Sequence, residues 1–150
     1  MCDSAPQLLY YIYIPVLILT LILGFLIFLS DKKNLSSRLF FALSINICLW
    51  IFFTMMNWQS VAPDKVEIFD KLSVIGVIIP AIFLYFSSVF PDGKNISAKK
   101  AIFIFLPLLP FILLAGTSFN VRYIDSSTPD CESVVGPLYY LMPVVFLIYC

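Results

Sequence analysis

Residues 37–60 read SRLFFALSINICLWIFFTMMNWQS, and no charged residue occurs between Arg38 and Asp64. At 1.5 Å of rise per residue, residues 39–58 are long enough to cross a hydrocarbon core of about 30 Å. The stretch is predicted to be a transmembrane helix. Lys32, Lys33 and Arg38 gather at its near end, whereas Asp64, Glu67 and Asp70 follow its far end. One side of this helix is basic and the other acidic, and that asymmetry sets the expectation for the whole chain.

The composition agrees, with 61% hydrophobic, 17% aromatic and 12% charged residues. Soluble domains carry about 25% charged residues. Four further uncharged runs surround the first. The chain is predicted to be an all-α, polytopic transmembrane helix bundle, with helices at about 8–29, 39–58, 72–90, 101–119 and 138–150. The segments on the basic side hold Lys32, Lys33, Arg38, Lys94, Lys99 and Lys100 against Asp31 and Asp92, a net +4. Those on the other side hold Lys65, Lys71 and Arg122 against Asp3, Asp64, Glu67, Asp70, Asp125, Asp130 and Glu132, a net −4. Basic loops stay in the cytoplasm, so the N-terminus is expected outside. The first run lacks a basic lead and a small-residue cleavage signal, and reads as a retained helix rather than a signal peptide.

Tyr10, Tyr11 and Tyr13 sit at the outer end of helix one, and Trp58 at that of helix two, as interfacial rings do. Gly24 offers a close approach between these two neighbours. Asn46 lies one turn from Trp50, and the two are candidates for an interhelical polar contact, either a switch or a structural hydrogen bond. Residues 60–71 form a short outer connection with apolar residues at helical spacing. Pro80 in helix three predicts a kink, and Pro107 with Pro110 a bent helix four. The last run ends at Cys150 after 13 residues, about 20 Å of helix, and is expected to be an incomplete fifth span of a longer protein.

Little chemistry is encoded. The four complete runs contain no Asp, Glu, Lys or Arg, which disfavours a proton or ion path. Histidine is absent, and no nucleotide, dinucleotide, acyl-transfer or zinc-hydrolase motif occurs, so no catalytic residue, cofactor or metal is expected. No basic stripe supports nucleic-acid binding. Asp64, Glu67 and Asp70 recur at helical spacing, interrupted by Lys65 and Lys71, and read as a solvated face. The sequons at Asn34 and Asn95 fall on the cytoplasmic side and read as chance. Trp58, Phe69, Arg122 and Tyr123 are the candidates for an outer pocket, against belt anchoring for the rings and solvation for the charge.

Several pieces recur together: the basic turn 32–38, the polar-dotted helix with Trp50, Phe69-Asp70-Lys71-Leu72, Gly76 with Pro80, Phe90-Pro91-Asp92-Gly93, and Gly136-Pro137-Leu138-Tyr139. In this order the chain resembles the N-terminal seven-transmembrane region of bacterial membrane sensor histidine kinases. The resemblance implies a bundle that receives a stimulus or small ligand and passes it to a cytoplasmic output outside this chain. It further implies a multi-pass protein of the bacterial inner membrane and a homodimer formed through cytoplasmic domains. The lipid bilayer is the one partner that composition alone demands. A transporter component and a purely structural membrane protein are the competing readings.

Two measurements check these expectations. With a membrane-impermeant reagent, cysteines engineered at Ser4 and Ser127 should label in intact cells and those at Asn34 and Asn95 should not; protection of Ser127 overturns the orientation. Of the four cysteines, Cys48 and Cys150 fall in apolar runs, whereas Cys2 and Cys131 fall in outer segments, where disulfides persist in bacteria. A bridge between them, the alternative to two free thiols, would tie down the N-terminal end of helix one. Alkylation of both Cys2 and Cys131 without prior reduction, read by mass spectrometry, rules that bridge out.

Overall fold

The computed structural model describes residues 8–59, 62–90, 95–125 and 132–149. Cys2, Cys131 and Cys150 lie outside these residues, so the candidate disulfide does too. Helices α1 (Leu8–Ser30) and α2 (Leu35–Gln59) are joined by a tight polar turn. Asp31 Oδ1 accepts from the N–H groups of Lys33 and Asn34, both at 3.2 Å, and Asn34 Oδ1 accepts from Ser36 N–H at 2.9 Å. Asn34 thereby caps the next helix, satisfying a donor that a helix start leaves orphaned. Helix α2 begins at Leu35, earlier than the predicted residue 39, because of this cap.

A seam runs along the whole α1/α2 pair. Phe28 stacks on Phe41 with ring centroids 4.9 Å apart, Cys48 Sγ donates to the Leu17 carbonyl at 3.5 Å, and Tyr13 meets Trp58 edge to face at 5.7 Å. Residue numbers fall on one helix as they rise on the other, which is antiparallel pairing. Gly24 lies between these contacts, where a Cβ would come 2.6 Å from Ser44 Cβ and Oγ. The missing side chain lets the helices approach. Away from this seam α1 presents exposed Ile, Leu and Phe, the surface a lipid-facing helix shows.

The third span differs in detail from the expectation. The connection after α2 is helix α3 (Pro63–Ser73), with Pro63 at its first position, Asp64 in the first turn and Lys71 in the last, each placed as helix starts and dipoles favour. A 3₁₀ turn at Val74–Val77 joins it to α4 (Ile78–Val89). The bend expected near Pro80 is thus taken up just before it, where the absent N–H of proline frees a carbonyl. Three helical stretches of the described chain, Tyr11–Ser30, Leu35–Trp58 and Asp64–Val89, are long and apolar enough to cross a membrane.

Helix α5 (Ala98–Phe105), a 3₁₀ turn at Leu106–Leu108 and α6 (Leu109–Leu114) make up the fourth apolar segment, broken at Pro107. It stops at Leu114 rather than at residue 119, because polar side chains take over its last carbonyls. Thr117 Oγ1 donates to the Leu114 carbonyl at 2.7 Å, and Asn120 Nδ2 to that of Ala115 at 3.1 Å. The segment after α6 then forms a β-hairpin, an addition to the helical reading: β1 (Val121–Asp125) pairs antiparallel with β2 (Glu132–Val135), with an irregularity between Val121 and Tyr123. A 3₁₀ turn at Tyr139–Leu141 leads into α7 (Met142–Tyr149). The core lies between α4, α5, α6 and α7, where Ala81 and Leu108 are fully buried beside Phe111 and Val145. The Tyr149 hydroxyl donates to the Ile104 carbonyl and ties α7 to α5.

The hairpin base is bolted to the end of α6. Gly136 N–H donates to the Asn120 carbonyl at 2.7 Å and Leu138 N–H to that of Phe119 at 2.9 Å. A Cβ at Gly136 would lie 2.1 Å from the Phe119 oxygen, a backbone atom that cannot swing aside. At Gly116 nothing lies within 4 Å. Gly136→Ala should therefore destabilise the detergent-solubilised chain by about 1–3 kcal/mol, whereas Gly116→Ala stays within about 0.5 kcal/mol. Thermal unfolding of the two variants decides; equal transitions would remove the close-packed base.

Candidate functional site

The described segments sort into two ends. At one, which we term the turn end, Asp31, Lys33, Asn34 and Leu35 border a common open hollow with Asn95, and the Tyr85 hydroxyl donates to Asn95 Oδ1 at 2.6 Å. At the other, the hairpin end, lie the α2/α3 junction and the β-hairpin. Here a cleft of about 460 Å³ opens, within the range of small-molecule sites.

Four parts of the chain build it. Trp50 comes from α2, Asp70 and Ser73 from the last turn of α3, and Gly76 with Val77 from the 3₁₀ turn. Asn120 and Val121 of the hairpin base, Tyr139 of the 3₁₀ turn before α7 and Met142 at the start of α7 close the far side. The Trp50 indole lies against Gly76: a Cβ there would come 2.6 Å from Trp50 Cδ1 and 2.8 Å from Nε1. Gly76 is therefore the slot that lets the ring in, and it lies within the 3₁₀ turn.

The polar rim is held in place by its own hydrogen bonds. Asp70 Oδ1 accepts from Asn57 Nδ2 at 3.4 Å, and Ser73 Oγ donates to the Asp70 carbonyl at 2.7 Å. Glu67 and Lys71 pair at 2.5 Å one turn apart. Within the acidic row of α3, Glu67 is thus occupied by lysine, while Asp70 reaches the cleft. Asn120, 2% exposed, spends its amide on the Ala115 carbonyl and so fixes the hairpin wall.

The residues singled out from the sequence are distributed differently. Trp58 packs on Tyr13 in the α1/α2 seam, Phe69 is half-buried on α3, and Arg122 and Tyr123 are exposed on β1. None of these four is among the described residues that line the cleft. Trp50 does line it, and its ring lies against Gly76. Asn46 is buried at 8% exposure, one turn further toward the turn end, and its Oδ1 has no hydrogen-bond partner among the described residues. The hydroxyls of α2 turn inward on their own helix: Ser44 donates to the Phe40 carbonyl and Thr54 to that of Trp50, both at 2.9 Å. Asn120, Tyr139 and Met142 carried no local signal. The signal for Trp50 was available as a large ring and a glycine on neighbouring spans, which favours a ring-into-gap contact.

A family model described as the N-terminal 7TM region of histidine kinase matches residues 12–150. No curated protein and no solved structure matches the chain. Long apolar helices, an uncharged interior and a match over nearly the whole length lead to one conclusion: the chain belongs to the N-terminal seven-transmembrane family of histidine kinases, a membrane sensory region.

Proposed function

We propose that the chain receives a stimulus at the hairpin end and passes it, by a change in helix packing, to a cytoplasmic output. The hairpin end is the outer one, as the +4 against −4 charge division favours, and the setting is the multi-pass inner membrane of a bacterium. Catalysis belongs to the output, since the chain carries neither an acceptor histidine nor a nucleotide motif. A homodimer held through cytoplasmic domains is part of the same reading.

One observation carries it. The cleft lies on the 3₁₀ turn Val74–Val77, so an occupant touches the bend in a membrane-spanning helix and the Trp50 ring seated against it. A ligand shifts an equilibrium only through differential contact with two states, and short 3₁₀ stretches within helices are frequent hinges. Displacement of Trp50 from Gly76 supplies such a difference. The bend then transmits it along α4 toward the turn end, where Tyr85 holds Asn95.

The test uses the full-length kinase in native membranes. Gly76→Val pushes the indole out of its slot and should change basal autophosphorylation by about fivefold or more, the low end of ordinary coupling energies. Phe103→Ala, at a side chain 76% exposed on α5, should leave it unchanged. Wild-type output from Gly76→Val membranes with normal protein levels would refute the mechanism.

A further inference from the structure

We infer that the turn end holds one anionic phospholipid, with its phosphate between Lys99 and Lys100 and the start of an acyl chain against Ile96 and Ile104. This site is separate from the cleft at the hairpin end and does not depend on the sensory reading of that cleft. A cavity of about 420 Å³ lies where α4 ends and α5 begins, and Ser88, Ile96, Lys99, Lys100 and Ile104 are among the residues that line it. Lys99 and Lys100 stand in the first turn of α5, directly ahead of its apolar run, which sets their ammonium groups at the level of lipid headgroups. Ile104 belongs to the apolar core, and Ile96 packs against it. The cavity is thus cationic on one side and hydrocarbon on the other.

The positive charge has no counterpart in the protein. Among the described residues Lys71 with Glu67 makes the one salt bridge, and neither Lys99 nor Lys100 takes part in any. By sequence, residues 91–100 hold Asp92 against Lys94, Lys99 and Lys100, a net +2. The first turn of α5 contains no acidic residue, and Ser97 ahead of it makes no side-chain cap hydrogen bond. Lysines at a helix start oppose the helix dipole, the reverse of α3, which opens with Asp64 and closes with Lys71. A phosphate between the two ammonium groups converts both repulsions into attractions.

The surroundings select a lipid among anions. A soluble anion would meet the charge but leave the hydrocarbon side of the cavity wet, and a zwitterionic lipid brings an ammonium of its own, which the lysines repel. Phosphatidylglycerol has the phosphate, the acyl chains and no such ammonium. The Ser88 hydroxyl donates to the Leu84 carbonyl at 2.8 Å, so its oxygen is left to accept from a headgroup hydroxyl.

The experiment uses native mass spectrometry to count the lipids that the complete chain retains from an equimolar mixture of phosphatidylglycerol and phosphatidylethanolamine with matched acyl chains. One phosphatidylglycerol should persist, preferred by about tenfold or more. Lys99→Gln with Lys100→Gln should bring that preference within about twofold, whereas Lys99→Arg with Lys100→Arg should keep it. Lys32→Gln with Lys33→Gln, which removes the same charge from the other turn, should keep it as well. Absence of a preference in the parent chain overturns the inference, and so does a preference that survives Lys99→Gln with Lys100→Gln. An equal fall in the Lys32→Gln, Lys33→Gln variant also overturns it, because the attraction is then one of overall charge. Glycerol phosphate in millimolar excess should not displace the lipid; if it does, the cavity is a site for soluble anions and the lipid is ruled out.

Discussion

Within a hydrocarbon layer each backbone N–H and C=O must find its partner inside the protein, and much in this fold follows from how that demand is met around proline. A water-exposed helix can leave a carbonyl to solvent, whereas a membrane helix cannot. Ahead of Pro80 and around Pro107 the chain tightens into 3₁₀ turns, which re-pair part of the freed backbone locally. Serine and threonine hydroxyls add bonds to carbonyls of their own helix, as Thr20 does to Val16 and Ser88 to Leu84, both at 2.8 Å. The bends are consequences of this satisfaction rather than of loose packing, and the bend at Val74–Val77 is where the cleft forms.

Close approach at glycine supplies the second constraint. Apolar side chains gain little by leaving lipid for one another, so helix pairs depend on contact density. Gly24 admits Ser44, Gly76 admits Trp50, and Gly136 admits the carbonyl of Phe119. These contacts differ in consequence. The first joins two nearly continuous helices, and the last pins a hairpin to the end of α6. The contact at Gly76 is made against a short 3₁₀ turn, whose geometry has a nearby α-helical alternative. That difference is what the proposed sensory role is built on.

The mixture of side chains then gives the cleft its character. The family to which the chain belongs is the N-terminal membrane region of histidine kinases, a sensory region. Among the described lining residues, aromatic and aliphatic side chains stand beside the polar side chains of Asp70, Ser73 and Asn120.

The sequence by itself determined the helical, membrane-embedded class, the charge division between the two sides and the family resemblance. Uncharged runs of membrane length and loop charges are local properties, read residue by residue. Helix ends were less legible. The Asn34 cap and the Thr117 and Asn120 bonds that end α6 depend on side chains folding back on the backbone, and runs of hydropathy do not register them. The site was the least legible part. Trp58, Phe69, Arg122 and Tyr123 suggested a pocket by residue type, yet the cleft is drawn from Trp50, Asp70, Gly76, Asn120, Tyr139 and Met142, which four separate parts of the chain supply. Asp70 and Glu67 look alike in sequence, and only the tertiary structure decided that one meets Lys71 while the other turns to the cleft. The reason is physical: a span is specified by its own transfer from water to lipid, but a cavity is specified by what neighbouring spans leave unfilled.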